Sequence, residues 1–150
     1  MIEEKLKQMN ITLPEAPKPL ASYIPVNKAG SLIFTSGQVP LKNGNLLFKG
    51  KVGSDINLES GKEAAKLCVI NCLSVIKSEI QNLDNIKKIV KLTVFVNSAE
   101  GFTDQPKVAN GASDFLVELL GEKGKHARSA VGVSELPIDA PVEIEMIAEI

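Results

Sequence analysis

The residue whose chemistry is hardest to explain as packing is Arg128. It stands among Ala127, Ala130, Val131 and Val133, so a long cation leaves a mainly apolar, strand-like segment. A guanidinium is a rigid fork that grips a carboxylate through two parallel hydrogen bonds, so an arginine in this setting points to an anionic ligand or to a buried carboxylate partner. Strand parity puts His126, Arg128 and Ala130 on one face. The carboxylates available as partners are Glu143 and Glu145, on the strand-like segment that comes next in the sequence. A solvated face is the ordinary role of glutamates that alternate with an apolar set. Beside Arg128, Glu143 can instead position water or pass protons at a bound substrate. His126, the single histidine, can carry a proton near neutral pH, or simply occupy a loop-to-strand junction.

Other chemistries find little support. Cys68 and Cys72 are four apart in a helical pattern among Ala65, Val69 and Ile76, which stacks both as buried free thiols. With one histidine and no second cysteine pair, no metal is expected. There is no phosphate-binding glycine loop, no G-x-S-x-G elbow and no paired-histidine zinc motif. A net charge of −1 and the lack of a basic block give no reason to bind nucleic acid. No stretch reaches the roughly 18 uninterrupted apolar residues of a membrane span, and the charged start MIEEKLKQMN is unlike a signal peptide, so the protein is expected in the cytosol.

The elements that must position these residues follow from spacing. The 150 residues suit one domain, residues 21–150, preceded over residues 1–20 by a short helix (2–9) and an arm running through Pro14, Pro17 and Pro19. Tyr23 to Val26 and Leu32 to Ser36 read as strands around a turn at Lys28 to Ser31. Asn43-Gly44 is a second turn, which predicts a three-strand meander. Helices are predicted over 58–81 and 105–120, the second ending at Gly121. Between them, Val90, Leu92, Val94 and Val96 alternate against Ile89, Lys91, Thr93 and Phe95. Two final strands, 127–134 and 142–150, complete an α/β (α+β) order β-β-β-α-β-α-β-β. Two helices can cover one face of a mixed sheet, so the other face calls for an oligomer.

Three blocks carry a resemblance: Ile33-Phe34-Thr35-Ser36-Gly37-Gln38-Val39-Pro40, then Val90 to Val96, then Arg128-Ser129-Ala130-Val131-Gly132-Val133 through Leu136-Pro137 to Val142-Glu143-Ile144-Glu145. In register from Tyr23 to the C-terminus, the chain resembles the Rid (YjgF) family, in its longer branch. The resemblance implies a chorismate-mutase-like fold with two helices on one side of the sheet, assembled as a trimer with ligand clefts between neighbours. It implies that Arg128 grips a substrate carboxylate and Glu143 orients or activates water. Tyr23, Ser36 and Gly37 would line the pocket, with Asn110 contributed across the interface. Ala130 stands where many members have cysteine, and His126 where many have proline, so the pocket is altered.

The implied activity is hydrolysis of 2-imino or enamine acids to 2-keto acids and ammonia, with no metal or organic cofactor. An anchored carboxylate and a positioned water suffice for such a step, and no thiol is needed. Two alternatives stand beside it. One is a module that binds a small carboxylate without turnover; the other is an endoribonuclease, for which a single tyrosine and the absence of tryptophan leave little base-stacking surface.

Overall fold

The two segments with helical spacing become the two long helices of the computed structural model, which describes residues 1–18 and 22–150. Helix α1, Ile2–Gln8, precedes them; it buries Leu6 and packs Ile2 and Met9 against the core. The expected boundary at residues 20 and 21, and Pro19 of the arm, lie outside the described residues. Helix α2, Leu58–Ile80, is capped by Asn57, whose side chain accepts the Ser60 N–H at 2.9 Å. Helix α3, Gln105–Leu120, opens with Pro106 in its first turn and stops at Gly121, whose φ is 63°. The two helices meet at Gly111, where a Cβ would lie 2.0 Å from the Lys62 carbonyl oxygen. Only glycine permits that approach, and the approach fixes which side of α3 faces the sheet.

The main sheet contains β1 (Val26–Ala29), β2 (Leu32–Thr35), β5 (Lys88–Asn97), β6 (Ala127–Val133) and β7 (Val142–Glu149) in the order β1-β2-β7-β5-β6. Only β5 and β6 run parallel. The continuous β1 register begins at Val26, just after Pro25, which has no N–H to donate but whose carbonyl accepts the Ser36 N–H at 2.8 Å; Tyr23 makes only an isolated bridge.

The expected third strand does not join this sheet. Short strands β3 (Leu41–Lys42) and β4 (Asn45–Leu46) form a separate ribbon around Asn43-Gly44. Side chains divert the chain after β2. Thr35 Oγ1 accepts the Met146 N–H at 3.0 Å, in place of a backbone carbonyl, and Gln38 returns to β7 through an isolated bridge to Ile144. Asn71 on α2 then donates to the carbonyls of Val39 and Leu41, at 2.9 and 3.0 Å, drawing the segment toward the helix.

The alternation expected in β5 is also corrected at one end. A register shift between Ile89 and Lys91 makes Val90 the extra residue of a bulge, so Ile89 joins Leu92, Val94 and Val96 in the core. One added residue reverses strand parity. Cys68 and Cys72 are buried and free as expected, and their thiols donate weakly to the Val142 and Ile144 carbonyls, each at 3.5 Å. Burial pushes both thiols up, Cys72 to about 12, which leaves them unreactive near neutral pH.

The sheet face away from α2 and α3 carries Phe34, Phe95, Val131 and Ile147 together with Thr93, Glu143 and Glu145, none of them fully buried.

Candidate functional site

The residues singled out by sequence form two clusters in one chain. Arg128 pairs across the parallel ladder with Leu92, and Ala130 pairs with Val94, so both face the helices, as parity predicts. Because β6 is an edge strand, the guanidinium can turn to α3, between its first turn and its middle. Its Nη1 donates to Asn110 Oδ1 at 2.8 Å and to Ser113 Oγ at 3.1 Å, and Nη2 donates to the Pro106 carbonyl at 3.3 Å. These bonds use both Nη1 hydrogens and one on Nη2; among the described residues the Nε hydrogen and the second Nη2 hydrogen have no partner and are open to a ligand.

His126 joins this cluster. Its Nδ1 lies 2.6 Å from the Gly124 carbonyl and its Nε2 lies 2.9 Å from Ser113 Oγ. Gly124 is placed by a close approach to α3, where a Cβ would lie 2.2 Å from the Leu116 carbonyl oxygen. Burial lowers the pKa of His126, the hydrogen bond to Gly124 raises it, and the Arg128 charge lowers it again. Ser113, Val117, Lys125, His126 and Arg128 line a cavity of about 250 Å³. Sequence reading missed Ser113. Its signal was a polar residue one helical turn after Asn110, on the flank of a stripe otherwise apolar at Val108, Ala112 and Phe115.

The second cluster holds Tyr23, Ser36, Gly37 and Glu143. Ser36 Oγ donates to the Ile24 carbonyl at 2.7 Å, which closes the bend after β2. Gly37 lies directly against Glu143: an added Cβ would stand 2.1 Å from Oε1. Glycine is thus dictated by the carboxylate, and two motifs far apart in sequence form one contact. Tyr23, Ser36 and Gly37 also line a cavity of about 550 Å³, together with Pro14, Pro17 and Asn71. Burial raises the pKa of Glu143, and the neighbouring Glu145 adds to the rise.

The two clusters do not meet. Glu143 pairs with Phe95, and Glu145 with Thr93, on the open face of the sheet, whereas Arg128 faces the helices, with β5 lying between β6 and β7. An ion pair between Arg128 and Glu143 or Glu145 within one chain, expected as the structural alternative, is therefore corrected. The strand that follows Arg128 in sequence is not its neighbour in space, and parity turns the side chains to opposite faces. Arg128 is held by neutral acceptors instead.

Among the described residues no group of three or more His, Cys, Asp or Glu is placed to hold a metal ion, and no helix is long and apolar enough to cross a membrane.

A mixed five-stranded sheet with two helices on one face, and polar half-sites at its edge and on its open side, defines an α+β protein of the chorismate-mutase-like class. Residues 3–150 match the family described as "YjgF/chorismate mutase-like, putative endoribonuclease", and the chain belongs to this YjgF (Rid) family. It is 37% identical to Protein TCP17 of Trypanosoma cruzi, across 99% of this chain and 94% of that one. It is 27% identical to a 2-iminobutanoate/2-iminopropanoate deaminase of Dermatophagoides farinae, across 93% of this chain and 94% of the relative. Among solved structures, a protein of unknown function from Agrobacterium tumefaciens superposes with a TM-score of 0.94 at 42% identity, covering 99% of this chain and 92% of that one.

Proposed function

We infer that the protein hydrolyses 2-imino acids, or their enamine forms, to 2-keto acids and ammonia. The observation that carries this reading is the bonding of Arg128: three neutral acceptors hold it rigid, and two hydrogens remain on it for a carboxylate. The deaminase among its relatives supports the same reaction class.

The active unit in this reading is a homotrimer in which Arg128 of one chain meets Tyr23, Ser36, Gly37 and Glu143 of the next. Two features support it. The open sheet face exposes Phe34 and Val131, by 36% and 44%, where a neighbour can bury them. Glu143 is partly desolvated and has no cation within salt-bridge distance among the described residues, so its ionised form gains from a charge brought by another chain.

In the reaction, Arg128 fixes the substrate carboxylate, and water held by Glu143 forms a bond to the imine carbon. The resulting carbinolamine then expels ammonia as its C–N bond breaks and the carbonyl forms. Orientation supplies the acceleration, because the reaction already proceeds without a catalyst. The test is a coupled assay in which a dehydratase generates the imine and keto acid release is followed with and without this protein. Faster release is the expected result, and an unchanged rate overturns the assignment.

A further inference from the structure

We propose that Ser113 and His126 are the proton-handling pair of the Arg128 site, with the protonation state of His126 setting whether Ser113 Oγ gives or takes a hydrogen bond at the bound ligand. This rests on the reading of Arg128 as the anion-holding residue.

The geometry fixes a direction for every hydrogen. The Gly124 carbonyl can only accept, so Nδ1 of His126 carries the proton and Nε2 of the neutral ring is an acceptor. Ser113 Oγ, 2.9 Å away, therefore donates to Nε2, while it accepts from Arg128 Nη1 at 3.1 Å. The chain of donation runs from Arg128 to Ser113 to His126 to Gly124. Ser113 retains one lone pair, and the cavity of about 250 Å³ opens beside it, lined also by Lys125 and Val117. When His126 is protonated, Nε2–H donates to Ser113 and the hydroxyl hydrogen is released toward the cavity.

The charged groups around the ring are Arg128 from β6 and Lys125, whose ammonium is held by Glu122 at 2.7 Å; α3 supplies the neutral Ser113 and Val117. Burial and Arg128 keep the ring neutral near pH 7, in the accepting state. A carboxylate bound on Arg128 offsets that positive charge and accepts a hydrogen bond from Ser113, and both effects favour the imidazolium.

In imine hydrolysis the pair takes up one proton and returns it. As water oxygen bonds to the carbon of the protonated imine, the water proton passes to Ser113 Oγ and the Ser113 proton passes to His126. The carbinolamine nitrogen then receives a proton back through Ser113. The C–N bond breaks, ammonia leaves, and the hydroxyl proton departs with it as ammonium while the carbonyl forms. Protonated imine and water become keto acid and ammonium, and the pair ends as it began. Ser113 is the group that touches the reacting atoms, and His126 acts through it.

Because His126 is the single histidine, its ring nitrogens can be followed directly by NMR in the full chain. Titrated alone, the ring is expected to show the Nδ1–H tautomer and a midpoint below 6.5. Saturating pyruvate should move that midpoint upward in the wild type and much less in Ser113→Ala. By linkage, pyruvate should also bind more tightly as pH falls. In the imine assay, Ser113→Ala and His126→Gln should each lower kcat by about 100-fold, with KM little changed in His126→Gln and raised in Ser113→Ala, which also loses its hydrogen bond to the bound carboxylate, and the double variant should lose no more kcat than either alone. Ser113→Thr should keep most of the activity, and the acid limb of the wild-type pH–rate profile should vanish in His126→Gln. An Nε2–H tautomer, a midpoint indifferent to pyruvate, or near-wild-type turnover in Ser113→Ala overturns the proposal. If pyruvate moves the midpoint but the wild type hydrolyses no imine, the deaminase reading falls alone and the pair stands as part of a carboxylate-binding site.

Discussion

The edge of the sheet at β6 and its open face at β7 each present one candidate functional charge, and they handle it in opposite ways. Arg128 is surrounded by acceptors: a side-chain amide, a hydroxyl and a main-chain carbonyl each take one of its hydrogens. Glu143 rests against a glycine, with Glu145 as its nearest charged influence, and burial disfavours its ionised form. Within one chain the arginine is held by three acceptors and the glutamate faces no cation among the described residues; in the proposed reaction the first awaits a small carboxylate and the second a group carried by a neighbouring chain.

The sharpest way to break this contrast is to separate the halves genetically. Arg128→Ala and Glu143→Gln are each expected to lower imine hydrolysis by about 100-fold or more, since charge-assisted hydrogen bonds contribute about 1.5–3 kcal/mol each. Refolded together in equal amounts, they should recover about a quarter of wild-type activity, because that fraction of intersubunit sites takes each intact residue from a different chain. No recovery would mean that both residues serve a site within one chain, or no common site.

Gly37→Ala tests the open half by itself. With its Cβ position 2.1 Å from Glu143 Oε1, the added methyl must displace the carboxylate, so activity should fall by about tenfold or more. The melting temperature should change less than in Gly111→Ala, where the obstacle is helix backbone and not the end of a side chain. Activity assays beside thermal melts separate the two, and a Gly37→Ala variant with wild-type turnover would remove Glu143 from the reaction.

Stability distinguishes the halves again. Arg128→Ala leaves neutral acceptors unpaired, which costs about 1–2 kcal/mol, and not the 3–5 kcal/mol of a stranded buried carboxylate. Glu143 has a raised pKa in the fold, so its contribution to stability is fully present below about 4.5 and is lost as pH rises through the raised value. In the isolated chain Glu143→Gln should therefore melt at or above wild type at pH 7, with the advantage vanishing below pH 4.5, whereas in the proposed trimer, where Arg128 of the neighbour offsets the charge, that advantage should shrink or reverse while activity is lost in either case. A melt lowered at pH 7 would show that the ionised glutamate is already compensated by a cation.

The smallest effect belongs to His126. Its pKa is lowered in the fold, so the stability it contributes is present above about 6.5 and is lost as pH falls through the folded value. Denaturant melts should show a shallow loss of stability below pH 6.5 in the wild type that is absent in His126→Gln.

The sequence by itself determined the two long helices, the long strands and most of the faces. Helical spacing located α2 and α3 to within a residue, because their apolar stripes are long and Gly121 terminates the second. Strand parity put His126, Arg128 and Ala130 together, since a two-residue period needs no knowledge of neighbours. Where parity met an irregularity it failed, as at Val90, because nothing in the composition of β5 announces a bulge. The tertiary structure alone decided which strands are adjacent. It set β5 between β6 and β7, removed the ion pair that sequence order suggested for Arg128, and brought Ser113 from the middle of α3 to within 2.9 Å of His126. Gly37 acquired its reason in the same way, from a glutamate more than a hundred residues away in the sequence. Local spacing fixes which face a side chain leaves from; what it meets depends on packing between distant segments, which no local period records.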